Sequence, residues 1–515
     1  MSGRNLRLSR SVLGLGLGAA LAMGYVASCN NETTGATDLA PADVDMSSGT
    51  TDDLSMNTDD MTTPPDMTVT SAPVVTKSNP SAVSNAGGTM ITLTGQNFAQ
   101  GATVMIGGVA ATNVVVVNGT TITLTVPAKA ATCGAMNVVV SNPDGKTGSA
   151  NNILRYTSRT FGLMAAQNTT ANGLNGPRNL VIADFNADGK PDVLVSQLNA
   201  GMVSFLAGSG GATLGAPGNT NVGTQPRAIA FGLIDAGAAL DAVVTNSGSN
   251  SVSILLGSGT GTFTAKTPVA VGNTPNAVVL RDFDGDGKLD LAVANPGGGM
   301  PGSASLSVAL GNGDGTFKAA STLTTPAGST GMATGDFDKD GKLDLVISHG
   351  AQGTVSFLKG QAGGAFAAPV SVNVGGTTAR ADDIVVADFN GDQNLDFAVA
   401  NGTSNNVSVL FGQGNGMFGA TIQTTPTGGN SPNSVITTDL NSDGFFDLIT
   451  ANQGGSNISV MLGQAAGKFG NGTTYTVGTG PFYVATGDLN GDLQPDLVSS
   501  NGGTGNLSVI LNQCN

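Results

Sequence analysis

The sequence predicts an all-β protein, a seven-bladed β-propeller preceded by a β-sandwich, and three observations carry that prediction. Gly is abundant at 77 of 515 residues, while aromatic residues are scarce and Trp is absent. Short runs rich in Val, Ile, Leu and Thr, broken by Asn, Asp and Gly, take the place of the 3.6-residue periodicity that long helices need. From residue 161 onward one acidic loop motif returns, starting at 184, 233, 282, 336, 388, 439 and 488. Self-similarity at a fixed period marks a repeat architecture.

The elements follow in order. Residues 1–28 read as an export signal: Arg4, Arg7 and Arg10 precede an uncharged, mostly apolar run over 12–27, shorter than the about 20 residues of a membrane span. The run ends in Val26-Ala27-Ser28-Cys29. This resembles the lipobox of bacterial lipoproteins, which implies lipidation of Cys29, a membrane contact through the acyl chains, and a place in the cell envelope, at the outer membrane or cell surface. An ordinary signal peptide with a coincidental Cys is the alternative. Residues 29–72, rich in Thr, Asp, Ser and Met with Pro64-Pro65, read as an acidic tether too polar to offset its ordering entropy.

Residues 73–156 alternate as short strands: "MITLTG", "ATVMIG", "TITLTVP" and "NVVVSNPDG". Together with Gly87-Gly88-Thr89 and "GQNFAQGATVMIGGVAAT", this segment resembles the IPT/TIG family. The resemblance implies an immunoglobulin-like sandwich of seven strands, used as a spacer or binding module.

In residues 157–515 each unit has an apolar strand, the loop D-x-[DN]-x-D-G-x-x-D, a second strand ending in Asn, a third like "VSVLLG", and usually a Phe. Pro177, Pro226, Pro275, Pro432 and Pro481 stand seven residues before their loops. Gln197, Asn246, Asn295, His349, Asn401, Asn452 and Asn501 follow the last loop position by five. The pattern resembles the FG-GAP/VCBS repeat of integrin-α-like propellers. Four strands per blade suit a propeller, and the segment "TFGLMAAQN" before the first loop is placed to complete the last blade.

Positions 1, 3 and 5 of such a loop aim oxygen side chains at one centre, position 6 reverses the chain as a left-handed Gly, and the position 7 carbonyl and position 9 carboxylate complete a cage. Six or seven oxygen donors favour Ca²⁺. The candidate ligands are Asp282, Asp284, Asp286 and Asp290; Asp336, Asp338, Asp340 and Asp344; Asp184, Asn186, Asp188 and Asp192; Asp439, Asn441, Asp443 and Asp447; Asp388, Asn390, Asp392 and Asp396; and Asp488, Asn490, Asp492 and Asp496. Gln393 and Leu493 replace Gly in the last two, which predicts weaker sites. Leu233 and Gly237 predict an empty second loop. The alternative is an Asx-turn motif that only shapes a hairpin.

The net charge of −15 does not describe a broad anionic face, because 20 of the 35 acids lie in six loops and nine between Glu32 and Asp66. No basic patch supports nucleic-acid binding. His349 is the only His and fills a slot that is otherwise mostly Asn, so the sequence predicts no enzyme. Cys133 and Cys514 are candidates for a disulfide, or are two separate thiols. Insertions relative to the other units fall at 296–305, 375–383 and 425–433, in connections opposite the calcium loops. Arg380, Asp382 and Asp383 there are candidates for contacting a protein or glycan ligand. A binding or adhesion module is expected; a structural envelope protein, an enzyme and a lectin are the alternatives.

Overall fold

The computed structural model describes residues 71–129, 134–157, 162–168, 173–299, 302–350, 352–374, 380–419, 423–492 and 494–512. Cys29, the export signal, tether residues 29–70, Cys133, Cys514, Leu493 and insertion residues 375–379 lie outside them.

The first domain is two sheets face to face. One orders Val74–Asn79, Met90–Gln96, Thr121–Thr125 and Thr112–Asn118; the other orders Ala82–Ser84, Thr147–Thr157, Gly134–Ser141, Thr103–Ile106 and Val109–Ala110. Alternation along Met90–Gln96 sends Ile91 and Leu93 into a core with Ile122, Leu124 and Tyr156. The described strands number nine rather than the expected seven. The first is divided at Pro80, which has no N–H to continue a ladder. Val74–Asn79 pairs antiparallel with Met90–Gln96, and Ala82–Ser84 then joins the other sheet, parallel to Thr147–Thr157. The two-residue Val109–Ala110 adds the ninth.

Among the described residues seven antiparallel four-stranded sheets follow, with one extra short strand in the second and a separate two-stranded ribbon, Gly463–Gln464 with Lys468–Phe469, in the hairpin of the sixth. Their first strands are Pro177–Ala183, Pro226–Gly232, Ala277–Arg281, Ser329–Gly335, Ala381–Ala387, Pro432–Thr438 and Pro481–Gly487. These adjoin in chain order, and the last lies against the first. Gln167–Asn168 pairs with Asn506–Ile510 and supplies the fourth strand of the final sheet, so the two ends of the repeat close one ring. Second strands such as Asp290–Asn295 are buried at every residue, because both faces meet a neighbouring sheet. The apolar core is accordingly divided into clusters between neighbours, not gathered at one centre.

The aspartate at loop position 9 ties each sheet together. Asp192, Asp241, Asp290, Asp344, Asp396, Asp447 and Asp496 are all buried. In each, Oδ2 accepts the N–H of loop position 2, and Oδ1 accepts an N–H where the third strand enters its hairpin, at 2.7–3.0 Å. The hairpin donor is Gly in six sheets and Asn512 in the last. At each of those six glycines a Cβ would lie 2.0–2.2 Å from the carbonyl oxygen that precedes the aspartate. The Gly that ends "VSVLLG" is thus dictated by close backbone approach.

Asp241 makes the same two bonds, both at 2.8 Å, in the repeat whose loop has lost its acids at positions 1 and 5. Its role is therefore separable from metal. Asp241→Ala orphans two buried N–H groups and should cost about 2–5 kcal/mol in urea denaturation. The loss should be equal in Ca²⁺ and in chelator; a loss seen only with Ca²⁺ would contradict this role.

Candidate metal loops and an axial cavity

The loops sit at one end of the ring. Position 6 is left-handed as the sequence predicts, with φ of +83° at Gly287 and Gly341 and +67° at Gln393. Position 4 is left-handed too, at Ala187, Gly285, Lys339, Gly391, Ser442 and Gly491, a feature the motif's x had hidden. These two reversals fold positions 5 and 6 back so that their N–H groups reach the position 1 carboxylate, as Asp286 and Gly287 reach Asp282 at 3.1 and 2.8 Å.

What happens at position 3 divides the loops. Where it is Asn, its Nδ2 donates to the position 5 carboxylate: Asn186 to Asp188, Asn390 to Asp392, Asn441 to Asp443 and Asn490 to Asp492, at 2.9–3.3 Å. Where it is Asp, no such donor exists. Asp282, Asp284 and Asp286, and likewise Asp336, Asp338 and Asp340, bring carboxylate oxygens within 4.8 Å of one another and could hold a metal ion. Their counter-charges are lysines. Lys288 meets Asp286 at 2.9 Å, Lys342 meets Asp340 at 3.1 Å, and Lys359 contacts both Asp338 and Asp340. Hydrogen bonds from Lys342 and Lys359 hold Asp340 down at about 2. Beneath each triplet the position 9 carboxylate is pushed up by burial, Asp344 to about 6. Its oxygens already accept N–H groups, so its first task is to hold the fold, and any part in the cage is added to that. An all-oxygen, polyanionic donor set fits a hard divalent cation.

Aromatic packing joins sheets at this end. Position 2 Phe residues meet the Phe of the next sheet edge-on: Phe185 with Phe263, Phe283 with Phe366, Phe337 with Phe418 and Phe389 with Phe469, centroids 5.4–5.9 Å apart.

The opposite end of the ring opens into a cavity of about 480 Å³ on the axis. Its wall is the start of the inner strands. The second residue of each (or the residue after its Pro) runs Arg178, Arg227, Asn276, Thr330, Asp382, Asn433 and Phe482, and all seven line it. A belt of hydrogen bonds passes from sheet to sheet here: Ser196 Oγ to Arg227 O at 2.6 Å, Arg227 Nη1 to Asn276 Oδ1 at 3.1 Å, Asn276 Nδ2 to Thr330 O at 2.8 Å, and Thr330 Oγ1 to Ala381 O at 2.6 Å. Val435 N–H then donates to Asp383 Oδ2 at 3.2 Å, Asn433 Nδ2 to Phe482 O at 3.1 Å, and Ser500 Oγ to Arg178 O. Sequence reasoning missed this ring; its signal was the varied residue that follows the repeated Pro.

All three residues expected on this face, Arg380, Asp382 and Asp383, line the cavity, and Arg380 pairs with Asp382 at 2.7 Å. Burial pushes Asp382 up to about 6 despite that pairing. Asp383 also serves the wall itself. Its carboxylate is buried, accepts Ile384 N–H at 2.9 Å as well as Val435 N–H, and belongs to the inter-sheet belt. His349 is buried with Nε2 at 2.8 Å from Ser356 Oγ, the same contact that Asn452 makes with Ser459 and Asn501 with Ser508. Burial lowers its pKa to about 4, so the ring is neutral.

The FG-GAP-like repeat model matches residues 238–293, 282–347, 336–399, 388–450 and 439–499, together just over half the chain. The IPT/TIG domain model matches residues 73–157. No curated protein matches the sequence. Among solved structures the chain is similar to an auxiliary nutrient binding protein from Bacteroides ovatus ATCC 8483, with 15% identity and a TM-score of 0.41 over 86% of this chain and 99% of that one. It is similar to another from Bacteroides thetaiotaomicron VPI-5482, with 13% identity and a TM-score of 0.39 over 86% and 99%. A functionally unknown protein from Desulfotomaculum acetoxidans DSM 771 has 15% identity and a TM-score of 0.46 over 62% and 94%. At these values the likeness carries no argument about function.

Asp383 gives the belt a pH signature. Burial raises its folded pKa to about 7, above the ordinary carboxylate value of the unfolded chain. The ionised form therefore costs stability above pH 7, and that cost vanishes as pH falls toward 4. Asp383→Asn never ionises but accepts one N–H fewer. It should melt below the parent at pH 5, and the gap should shrink or reverse by pH 8, by at most about 3 kcal/mol. A gap that does not change with pH would contradict a buried, ionising Asp383.

Proposed function

We propose, for a chain that belongs to the FG-GAP-like repeat family and carries an IPT/TIG domain, that it is a lipid-anchored binding module of the cell envelope. Its propeller recognises a protein or glycan partner at the end that bears the axial cavity. The observation that carries this reading is the cavity itself: a concave site of about 480 Å³, walled by charged and polar side chains, at the end of the ring opposite the acidic loops. The strands that flank the insertions, Asp290–Asn295 and Ser305–Ala309, Val370–Asn373 and Ala381–Ala387, and Gln423–Pro426 and Pro432–Thr438, meet their connections at the end of the sheet opposite the acidic loops.

Calcium is the cation the loops suit best, since every candidate donor is oxygen. Asp282, Asp284 and Asp286, with Asp336, Asp338 and Asp340, are the sets that most need it, because no Asn shares their charge. The ion would stiffen the ring without touching the partner. Catalysis has no part in this reading: His349 is buried in a structural slot, and the clustered aspartates are spent on loop geometry. The lipid on Cys29 and the acidic tether would hold the sandwich and propeller off the membrane.

Two measurements test this. Trimming the three insertions to the lengths in the other repeats should abolish capture of proteins and glycans by the full chain. Melting should still fall in chelator and recover with Ca²⁺ more than with Mg²⁺. Undiminished capture would contradict the recognition face, and melting indifferent to chelator would contradict the calcium role. Cys29→Ala should move the protein from the membrane to the soluble fraction; a variant that stays with membranes is anchored by something else.

A further inference from the structure

We propose that the axial cavity holds a small hydroxylated carboxylic acid, with its carboxylate seated between Arg178 and Arg227. This rests on the reading that the cavity end is the recognition face, and it names the chemistry recognised there. Arg178 and Arg227 occupy the same position in adjacent inner strands and line one side of the cavity. Among the described residues neither has a carboxylate within 4.0 Å. Arg178 lies over the Phe482 ring at 3.9 Å, and its guanidinium donates no hydrogen bond within those residues. Arg227 gives Nε to Ser247 Oγ at 3.0 Å and Nη1 to Asn276 Oδ1 at 3.1 Å, which leaves Nη2 for a ligand. Burial, then the charge of Arg227, pull Arg178 down to about 10, so its guanidinium stays charged at neutral pH while the Arg227 charge crowds it. An anion between them relieves that crowding, and planar guanidinium forks match a carboxylate.

Asn179, next after Arg178 along the same strand, is 4% exposed and accepts the Ile229 N–H of the neighbouring sheet on Oδ1 at 3.0 Å, so the carboxylate seat is formed by the two arginines alone. The other side of the cavity sets the class of anion. Asp382 faces the same space with Arg380 on one of its oxygens. A nearby carboxylate disfavours a dianion and accepts hydroxyl donors, and Phe482 and Tyr483 supply apolar surface. A monoanion with hydroxyls on a ring of monosaccharide size suits both walls and the volume.

The test is isothermal titration of the full-length protein with glucuronate, galacturonate, glucose, galactose and inorganic phosphate. At least one acid should bind at one site per chain, tenfold or more tightly than its neutral sugar. Arg178→Gln should weaken that acid at least tenfold, and Arg178→Lys, which keeps the charge, should weaken it less. Arg178 donates no bond to the belt, so its variants should keep the parent's melting temperature. The proposal is overturned if neither acid outbinds its neutral sugar, if Arg178→Gln binds as the parent does, or if phosphate matches the better acid. The insertion-trimmed protein, titrated in parallel, separates the two readings. Partner capture by a parent that ignores the acids defeats this assignment alone. Acid binding in a protein whose partner capture survives trimming defeats the recognition-face reading alone.

Discussion

The buried carboxylate that ends each loop is the constraint on which the propeller depends. With one oxygen on the loop's second residue and the other on the hairpin, it ties the start of the second strand to both connections at its end of the sheet. The hairpin donor must come so close that Gly is required in six sheets. The position 2 residue, once fixed, can reach the next sheet, as Phe283 reaches Phe366. Asp, Gly and Phe at their repeated spacings are therefore parts of one device. It has a cost, because burial raises Asp396, Asp447 and Asp496 to about 7, and a cation held by positions 1, 3 and 5 would offset part of it.

The two ends of the ring solve the same problem differently. Sheets that pack face to face must be held in order around the axis. At the loop end this is done by aromatic edges; at the cavity end, by side chains that donate or accept across each junction. Because Arg227 serves both the belt and the cavity wall, a ligand there would act on the joint between two sheets. The short pairing of Gln167–Asn168 with the final sheet turns an open array into a ring and makes the axial cavity possible.

Much of this was legible in the sequence. The period, the strand order and the donated closing strand followed from offsets that recur in every unit, because backbone geometry repeats wherever the residues do. The left-handed Gly at position 6 was readable for the same reason. The position 9 aspartate was read only as a ligand, since a motif does not say which N–H groups a carboxylate meets; the unit with Leu233 and Asp241 held the clue, keeping the aspartate where the other loop acids were gone. Asp383 was read only as a contact residue, since nothing in the sequence shows that its carboxylate also accepts the Val435 N–H of the next sheet. The cavity ring was missed because it sits where the repeats disagree, and it takes seven non-adjacent residues to see it.

The central claim is that each loop does two separable jobs, holding the sheet through position 9 and taking a cation through positions 1, 3 and 5. Anomalous diffraction from crystals grown in Ca²⁺ tests it most directly. The account predicts ions at the loops beginning with Asp282 and Asp336, and an ion-free loop at Leu233 in which Asp241 still bonds Ile234 and Gly257. An intact ring with no ion at either all-Asp loop, or an ion bound at the Leu233 loop, would contradict it.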